Sequence, residues 1–269
     1  ATLSAGTLNE DGSVTLTAEQ LDGLTLTPAA NSDADFDLAI TATSTDGTDT
    51  ATTTATLPVS VAAVADAPTL EVSAASGDED TAIALDIASA LTDTDGSEVL
   101  SVTIDGIPEG AVLSTGTVND DGSVTLTPAQ LEGLTITPAS DSDADFTLGV
   151  TALSTDGTDI ATTTATLPVT VAAVADAPTL EVSAASGDED TAIALDIASV
   201  LTDTDGSEVL TVNIDGIPEG AVLSAGTVND DGSVTLTAEQ LEGLTITPAA
   251  DSDADFNLTV TATSTDGAD

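Results

Sequence analysis

Residues 65–72 read ADAPTLEV, and the same eight residues return at 175–182. The turn sequence DDGS at 120–123 returns at 230–233 with the same offset of 110, and the alignment at this offset needs no insertion. A period of 110 residues is too long for one turn of a solenoid, but it is the size of an immunoglobulin-like β-sandwich. The sequence therefore predicts an all-β protein of tandem immunoglobulin-like, cadherin-like β-sandwich domains arranged head to tail.

The offset predicts three segments along the chain. They are the C-terminal part of a first Ig-like repeat (1–64), a complete Ig-like repeat (65–174), and a third repeat that lacks its last strand (175–269). Within the complete copy, short β-branched runs lie between turn signals, so we expect about seven strands per repeat. Helix should be scarce, with single turns at 127–131 and 88–91. Because the end copies are partial, we expect the chain to be a window on a longer array.

The charge of the chain is the second strong signal. It contains 48 Asp and Glu but no Lys, Arg or His, so its formal net charge is -48. Two like charges about 4 Å apart near a protein surface repel by roughly 4 kcal/mol, so clustered acids oppose compaction unless a cation bridges them. Zinc, copper and iron sites rely on His and Cys, which are absent here. Oxygen-only sites favour Ca²⁺ over Mg²⁺, which demands tight octahedral geometry. Calcium is therefore the expected cofactor.

The same composition excludes several partners. Nucleic acids and anionic membrane surfaces require a basic footprint, which this chain does not have. No apolar run approaches the roughly 20 residues that span a bilayer, so we expect no direct membrane insertion. The hydrophobic fraction of 41%, in alternating runs, indicates a chain that can bury a core. The expected partners are calcium ions and neighbouring repeats of the same chain, and the expected form is a monomeric extended rod.

The acidic loops should meet where repeats stack. Successive strands of a sandwich run alternately up and down, so acidic loops fall at both ends, and a linker acid joins them. At the first junction the predicted metal ligands are Asp33, Asp35, Asp66, Asp93, Asp95 and Asp156. At the second they are Glu79, Asp80, Asp143, Asp145, Asp176, Asp203, Asp205 and Asp266. The candidates also include Glu98 and Glu208, which end two acidic loops, and the offset equivalents Glu189, Asp190, Asp253 and Asp255.

Four spaced motifs carry a family resemblance: EDTAI at 79–83, LTDTDGSE at 91–98, IPEGA at 107–111 and DSDADF at 141–146. In this order, and over the whole chain, they resemble the bacterial Ig-like extender repeats of very large RTX and biofilm adhesins. The resemblance implies export by a type I secretion system to the bacterial cell surface. It also implies a calcium-stiffened stalk that holds a distal ligand-binding domain away from the cell.

The junction acids resemble, in their logic, the interdomain calcium sites of cadherins. There, an acidic linker, a Glu near the first strand and a D-x-D pair rigidify tandem sandwiches. The cadherin linker signature itself is absent, and ADAP stands in its place.

Other interpretations of the acidic motifs are weaker or remain open. The opening Asp93 to Gly96 resembles an EF-hand loop, but Glu98 comes too early for its twelfth position. The DDG at 120–122 is explained as a hairpin turn. Paired carboxylates could serve a glycosidase, but they repeat in every copy without aromatic or basic groups to assist, so we expect no enzyme. A calcium-dependent glycan- or protein-binding module and an S-layer-type repeat remain as alternatives.

Overall fold

A computed structural model describes residues 1–203 and 206–267. Over these residues the chain forms β-strands, connected by turns and by 3₁₀ turns at Ala18–Leu21, Pro128–Gln130 and Ala238–Leu241. Each 3₁₀ turn follows a Thr whose backbone N–H donates to a Gln side chain three residues on, as Thr127 does to Gln130 Oε1 at 2.8 Å. The helical turn predicted at 127–131 is thus present as a 3₁₀ turn, and the all-β prediction is confirmed.

The first segment contains two long strands and several short ones. The strands are β1 (Thr2–Leu3), β2 (Thr7–Leu8), β3 (Val14–Thr15), β4 (Leu26–Thr27), β5 (Phe36–Asp46) and β6 (Asp49–Val59). Strands β5 and β6 form an antiparallel hairpin over their full length. Their large apolar side chains remain half exposed, with Ile40 at 48% and Leu57 at 49%. This hairpin therefore has little core of its own.

The central repeat contains the largest set of strands. They are β7 (Thr69–Val72), β8 (Ala75–Asp78), β9 (Ile83–Ala84), β10 (Ile87–Ala90), β11 (Val99–Asp105), β12 (Val112–Leu113), β13 (Thr117–Val118), β14 (Val124–Leu126), β15 (Thr135–Thr137), β16 (Phe146–Asp156) and β17 (Asp159–Ala172). A six-stranded sheet has the order β13-β14-β11-β16-β17-β8, and a three-stranded sheet (β12-β15-β9) and the pair β10-β7 form beside it. The helical turn expected at 88–91 is wrong, because Ile87–Ala90 pairs with β7 in register as a strand.

The two sides of the central repeat share one core. Along β16, Leu148, Val150 and Ala152 are buried and alternate with more exposed residues, as one face of a half-buried strand requires. They belong to the same buried cluster as Ile83 and Ile136 of the smaller sheet. Two sheets packed face to face over a common core form a β-sandwich.

Strand β8 links the core to the end of the repeat. It pairs in parallel with the end of β17, with Ala75 opposite Val169 and Asp78 opposite Ala172. The next residue continues this pattern, because the Glu79 N–H donates to the Ala172 carbonyl at 3.0 Å. The sequence did not predict β8 as a separate strand, yet it is the element that delivers Glu79 to the junction with the following repeat.

The third repeat reproduces much of this pattern. Its strands are β18 (Thr179–Val182), β19 (Ile193–Ala194), β20 (Ile197–Val200), β21 (Val209–Asp215), β22 (Val222–Leu223), β23 (Thr227–Val228), β24 (Val234–Thr237), β25 (Thr245–Thr247) and β26 (Thr259–Thr265). A second buried cluster includes Val212, Ile214, Leu236 and Leu244. Residues 185–188, which correspond to β8, are exposed and form no strand. In the central repeat the corresponding residues pair with the end of β17.

Candidate metal centres between the repeats

A buried group of three carboxylates lies at the second junction. Glu79 comes from the central repeat, while Asp203 and Asp266 come from the repeat that follows it. One carboxylate oxygen from each lies within 4.8 Å of the others. Their exposed fractions are only 3%, 4% and 1%. We call this group the bridging cluster, because it draws on both repeats.

Hydrogen bonds satisfy only part of the bridging cluster. Glu79 Oε1 accepts the Val174 N–H at 2.8 Å, which ties the carboxylate to the end of its own repeat. Glu79 Oε2 and Asp266 Oδ2 are buried and accept no hydrogen bond within the described residues. A buried charge without compensation is costly, so these oxygens call for a positive partner.

The electrostatics of the bridging cluster are unfavourable for the bare protein. Burial raises the pKa of Glu79, and the neighbouring charges of Asp203, Asp266 and Asp80 raise it further, against the opposing Val174 hydrogen bond. The chain contains no Lys, Arg or His to offset them. A bound proton or a cation would compensate the charge that the Val174 hydrogen bond leaves.

A second group lies nearer the surface of the same junction. It consists of Asp80 and Asp141 of the central repeat and Asp176 of the linker, with oxygens again within 4.8 Å. Both Asp80 and Asp141 have a left-handed backbone, at φ 54° and 55°. The Asp141 N–H donates to Asp80 Oδ1 at 3.1 Å, so the two loops are also joined directly. We call this group the outer cluster.

The first junction has its own group, which we call the linker cluster. It consists of linker Asp66 with Asp93 and Glu98 of the repeat that follows. Asp93 and Glu98 are 4% and 7% exposed, and Asp66 is exposed. Glu98 Oε1 accepts the Asp66 N–H at 2.6 Å, while its Oε2 is buried and accepts no hydrogen bond within the described residues. The linker backbone is thereby held against the next repeat.

Asp156 lies beside the linker cluster, at the turn between β16 and β17. It is 4% exposed. Burial raises its pKa, and the charge of Asp33 raises it further. A hydrogen bond from the Ser97 side chain lowers this pKa, and the charges of Asp95 and Glu98 raise it by smaller amounts. Asp33 belongs to the first segment, so acids from both sides of the first junction affect the pKa of Asp156.

Three predicted ligands have structural roles instead of joining a cluster. Asp35 Oδ1 accepts the Val61 N–H at 2.8 Å, and its counterpart Asp145 accepts the Val171 N–H at the same distance, so both acids cap the end of the neighbouring strand. Asp95 Oδ1 accepts both the N–H and the hydroxyl of Ser97, at 2.8 and 2.6 Å, and these bonds lower its pKa. The D-x-D spacing alone could not distinguish ligands from caps.

Among the described residues, the remaining predicted ligands belong to none of the three clusters. Asp143 is half-buried, and the equivalents at the far end of the third repeat, Glu189, Asp190, Asp253 and Asp255, are exposed. Glu208 Oε1 accepts the linker Asp176 N–H at 2.6 Å, and its Oε2 is buried without a hydrogen bond in the described part of the chain. Asp205 lies outside the described residues.

Sequence reasoning missed one acid, Asp141 of the outer cluster. It begins the motif DSDADF, in which the alternation of the following acids favours Asp143 and Asp145 as ligands. The signal that was available is its position at a turn, where Asp tolerates the left-handed backbone that Asp141, Asp251 and Asn31 share. All three positions are related by the offset of 110.

Comparisons with known proteins give only weak structural similarities. No family model and no curated protein matches the chain. Among solved structures, the chain is similar to Drosophila N-cadherin EC1-4 at 16% identity and a TM-score of 0.28, covering 86% of this chain and 55% of that one. The D00-D0 domain of intimin is 15% identical, with a TM-score of 0.24, over 75% of this chain and 94% of that one. The chain thus spans about half the length of the N-cadherin fragment.

An endo-fucoidan hydrolase of glycoside hydrolase family 107 is also similar, at 18% identity and a TM-score of 0.24, over 98% of this chain and 38% of that one. At these TM-scores none of the similarities assigns an activity or a ligand to this chain. Among the described residues, no helix is both long and apolar enough to cross a membrane.

The donor set fits a hard divalent cation. All ligands available at the three clusters are oxygens, the preferred ligands of Ca²⁺, and several are buried carboxylate oxygens without another partner. Soft or borderline metals find no His or Cys. The residues present therefore fit calcium at the bridging and linker clusters.

Proposed function

We propose that this chain is a structural extender, a stretch of stalk from a large secreted bacterial surface adhesin that calcium stiffens at its domain junctions. The observation that carries the proposal is the bridging cluster, in which a buried Glu79 from one repeat meets Asp203 and Asp266 from the next. A cation bound there would neutralise charges from both repeats and hold them together. The chain would be a monomeric extended rod in calcium.

The residues of the junction have complementary roles in this proposal. Glu79 fixes the end of its repeat through the Val174 N–H and offers its second oxygen to the junction. Glu208 holds the linker against the next repeat through the Asp176 N–H. Together they hold the linker backbone at Val174 and Asp176, so that a shared cation would restrict bending between the repeats.

Near-identity of the copies supports a spacer over a binding module or an enzyme. The central and third repeats share the motif ADAPTLEV, the loop LTDTDGSE and the turn DDGS without change. A receptor or a catalyst needs one distinctive site, whereas a stalk needs length, which duplicated modules supply. Extracellular modules of this kind typically bind calcium at about 0.1 to 1 mM. The stalk would then be flexible inside the cell and rigid after export.

Small-angle X-ray scattering of the whole chain tests the proposal. We expect the maximum dimension to increase between excess chelator and about 5 mM calcium, and Glu79→Gln to reduce that increase. Glu132→Gln removes an equally charged but exposed side chain outside the clusters, and it should leave the increase intact. An identical maximum dimension in chelator and calcium rejects the stalk. Lateral assembly in calcium would instead favour an S-layer-type repeat.

A further inference from the structure

Each linker is docked onto the repeat that follows it. At the first junction the Asp66 N–H donates to Glu98 Oε1 at 2.6 Å, and the Thr163 hydroxyl donates to the Pro68 carbonyl at 2.6 Å. Pro68 is buried. The second linker repeats the first of these bonds, since the Asp176 N–H donates to a Glu208 carboxylate at the same distance. Linker and following repeat therefore form one unit.

The linker cluster draws all its ligands from that unit. Asp66, Asp93 and Glu98 lie within one repeat and its own linker, and their oxygens are within 4.8 Å of one another. Glu98 is 7% exposed, and its Oε2 is buried without a hydrogen bond among the described residues. An unpaired oxygen of this kind marks a position for a cation that needs no contribution from the preceding repeat.

The second junction groups the corresponding acids differently. Linker Asp176 lies with Asp80 and Asp141 of the preceding repeat in the outer cluster, and Asp203 lies in the bridging cluster. At the first junction Asn31 stands where the central repeat has Asp141. Linker Asp66 therefore lies with acids of its own repeat, whereas linker Asp176 lies with acids of the preceding repeat.

We propose that Asp66, Asp93 and Glu98 form a repeat-internal site for a divalent, oxygen-preferring cation, which fills before the bridging cluster does. Its ligands are already held together, so binding there does not have to order two repeats against each other. The bridging cluster must draw two repeats together, so it fills at higher calcium concentration. This inference rests on the proposed function, because only the second step stiffens the stalk.

Calorimetric calcium titrations of the whole chain, combined with scattering at the same calcium concentrations, test this order. We expect a tighter phase without elongation, followed by a weaker phase that increases the maximum dimension. Asp66→Asn should weaken the tighter phase by about tenfold or more, as loss of a carboxylate near a metal does. Because Asp66 is exposed, this variant should fold normally. Glu98→Gln should act on the same phase.

Two further variants separate this inference from the proposed function. Glu79→Gln should spare the tighter phase and reduce the elongation, whereas Glu132→Gln should change neither. A tighter phase that survives both Asp66→Asn and Glu98→Gln overturns the internal site, and so does elongation that accompanies the first ions bound. A tighter phase that depends on Asp66 but is never followed by elongation supports the internal site and contradicts the stalk.

Discussion

Glu79→Gln should stabilise the chain in chelator, and calcium should cancel that advantage. The substitution keeps the size of the side chain and an oxygen that accepts the Val174 N–H, but it removes a charge from the bridging cluster. At 4.8 Å and an effective dielectric constant of about 20, each pair of charges repels by roughly 3.5 kcal/mol. Removing one of three charges eliminates two such pairs, or about 7 kcal/mol if all three are ionised.

Proton uptake limits how much of this repulsion the folded protein retains. Protonating a Glu of ordinary pKa, about 4.3, costs roughly 3.7 kcal/mol at pH 7, so any larger repulsion is relieved by a proton. Solvent screening at the junction reduces the value further. We therefore expect Glu79→Gln to stabilise the metal-free chain by about 2 to 3 kcal/mol.

Calcium should cancel most or all of this advantage. A site with a Kd of about 0.1 mM contributes roughly 2.7 kcal/mol at 10 mM calcium, and the variant should lose most of this contribution. Urea unfolding followed by far-ultraviolet circular dichroism measures both states, since the chain has no Trp or Tyr. Glu132→Gln is the matched control. The reasoning is refuted if Glu79→Gln is no more stable than the natural chain in chelator, or if calcium stabilises both equally.

Three other predictions follow from particular residues. In chelator the free energy of unfolding should fall as pH rises from about 4 to 7. Burial raises the folded-state pKa of Asp156, so the folded protein holds this proton more tightly than the unfolded chain does. Asp156→Asn should therefore flatten the pH profile of stability in acid titrations. Asp141→Asn introduces the residue that the first segment has at the equivalent position, Asn31, and it should weaken calcium binding in calorimetry with little effect on folding. Asp251→Asn changes the equivalent residue of the third repeat, which lies in none of the clusters, and it should leave calcium binding unchanged. Leu167→Ala should cost about 2 to 5 kcal/mol in urea unfolding, but its counterpart Leu57→Ala far less, because their exposed fractions are 0% and 49%; equal losses would contradict the packing described.

The repeat period and the alternation of apolar residues predict the fold well. The offset of 110 and the β-branched runs led directly to an all-β tandem sandwich, because a two-residue alternation has few other structural interpretations. The division into domains at 65 and 175 stays a prediction. The helical turn predicted at 88–91 is wrong because Ala and Ser carry little propensity signal, and the pairing of this segment with β7 is a tertiary effect.

The sequence predicts which acidic loops meet at a junction, but not which of their acids join a cluster. Because successive strands run in alternating directions, the sequence predicts Glu79, Asp203 and Asp266 at one junction. In the structure one carboxylate oxygen of each lies within 4.8 Å of the others. The sequence could not show that Asp145 caps a strand while Asp141 joins a cluster, because that depends on backbone conformation and on hydrogen bonds between strands distant in sequence. The metal itself stays a proposal.

A crystal structure of the whole chain grown in calcium tests the central claim most directly. The account predicts an ion between Glu79, Asp203 and Asp266, with carboxylate oxygens at about 2.3 to 2.6 Å and an anomalous signal consistent with calcium. A structure at millimolar calcium with these three side chains in place but only water, or direct carboxyl–carboxyl hydrogen bonds, between them would contradict it.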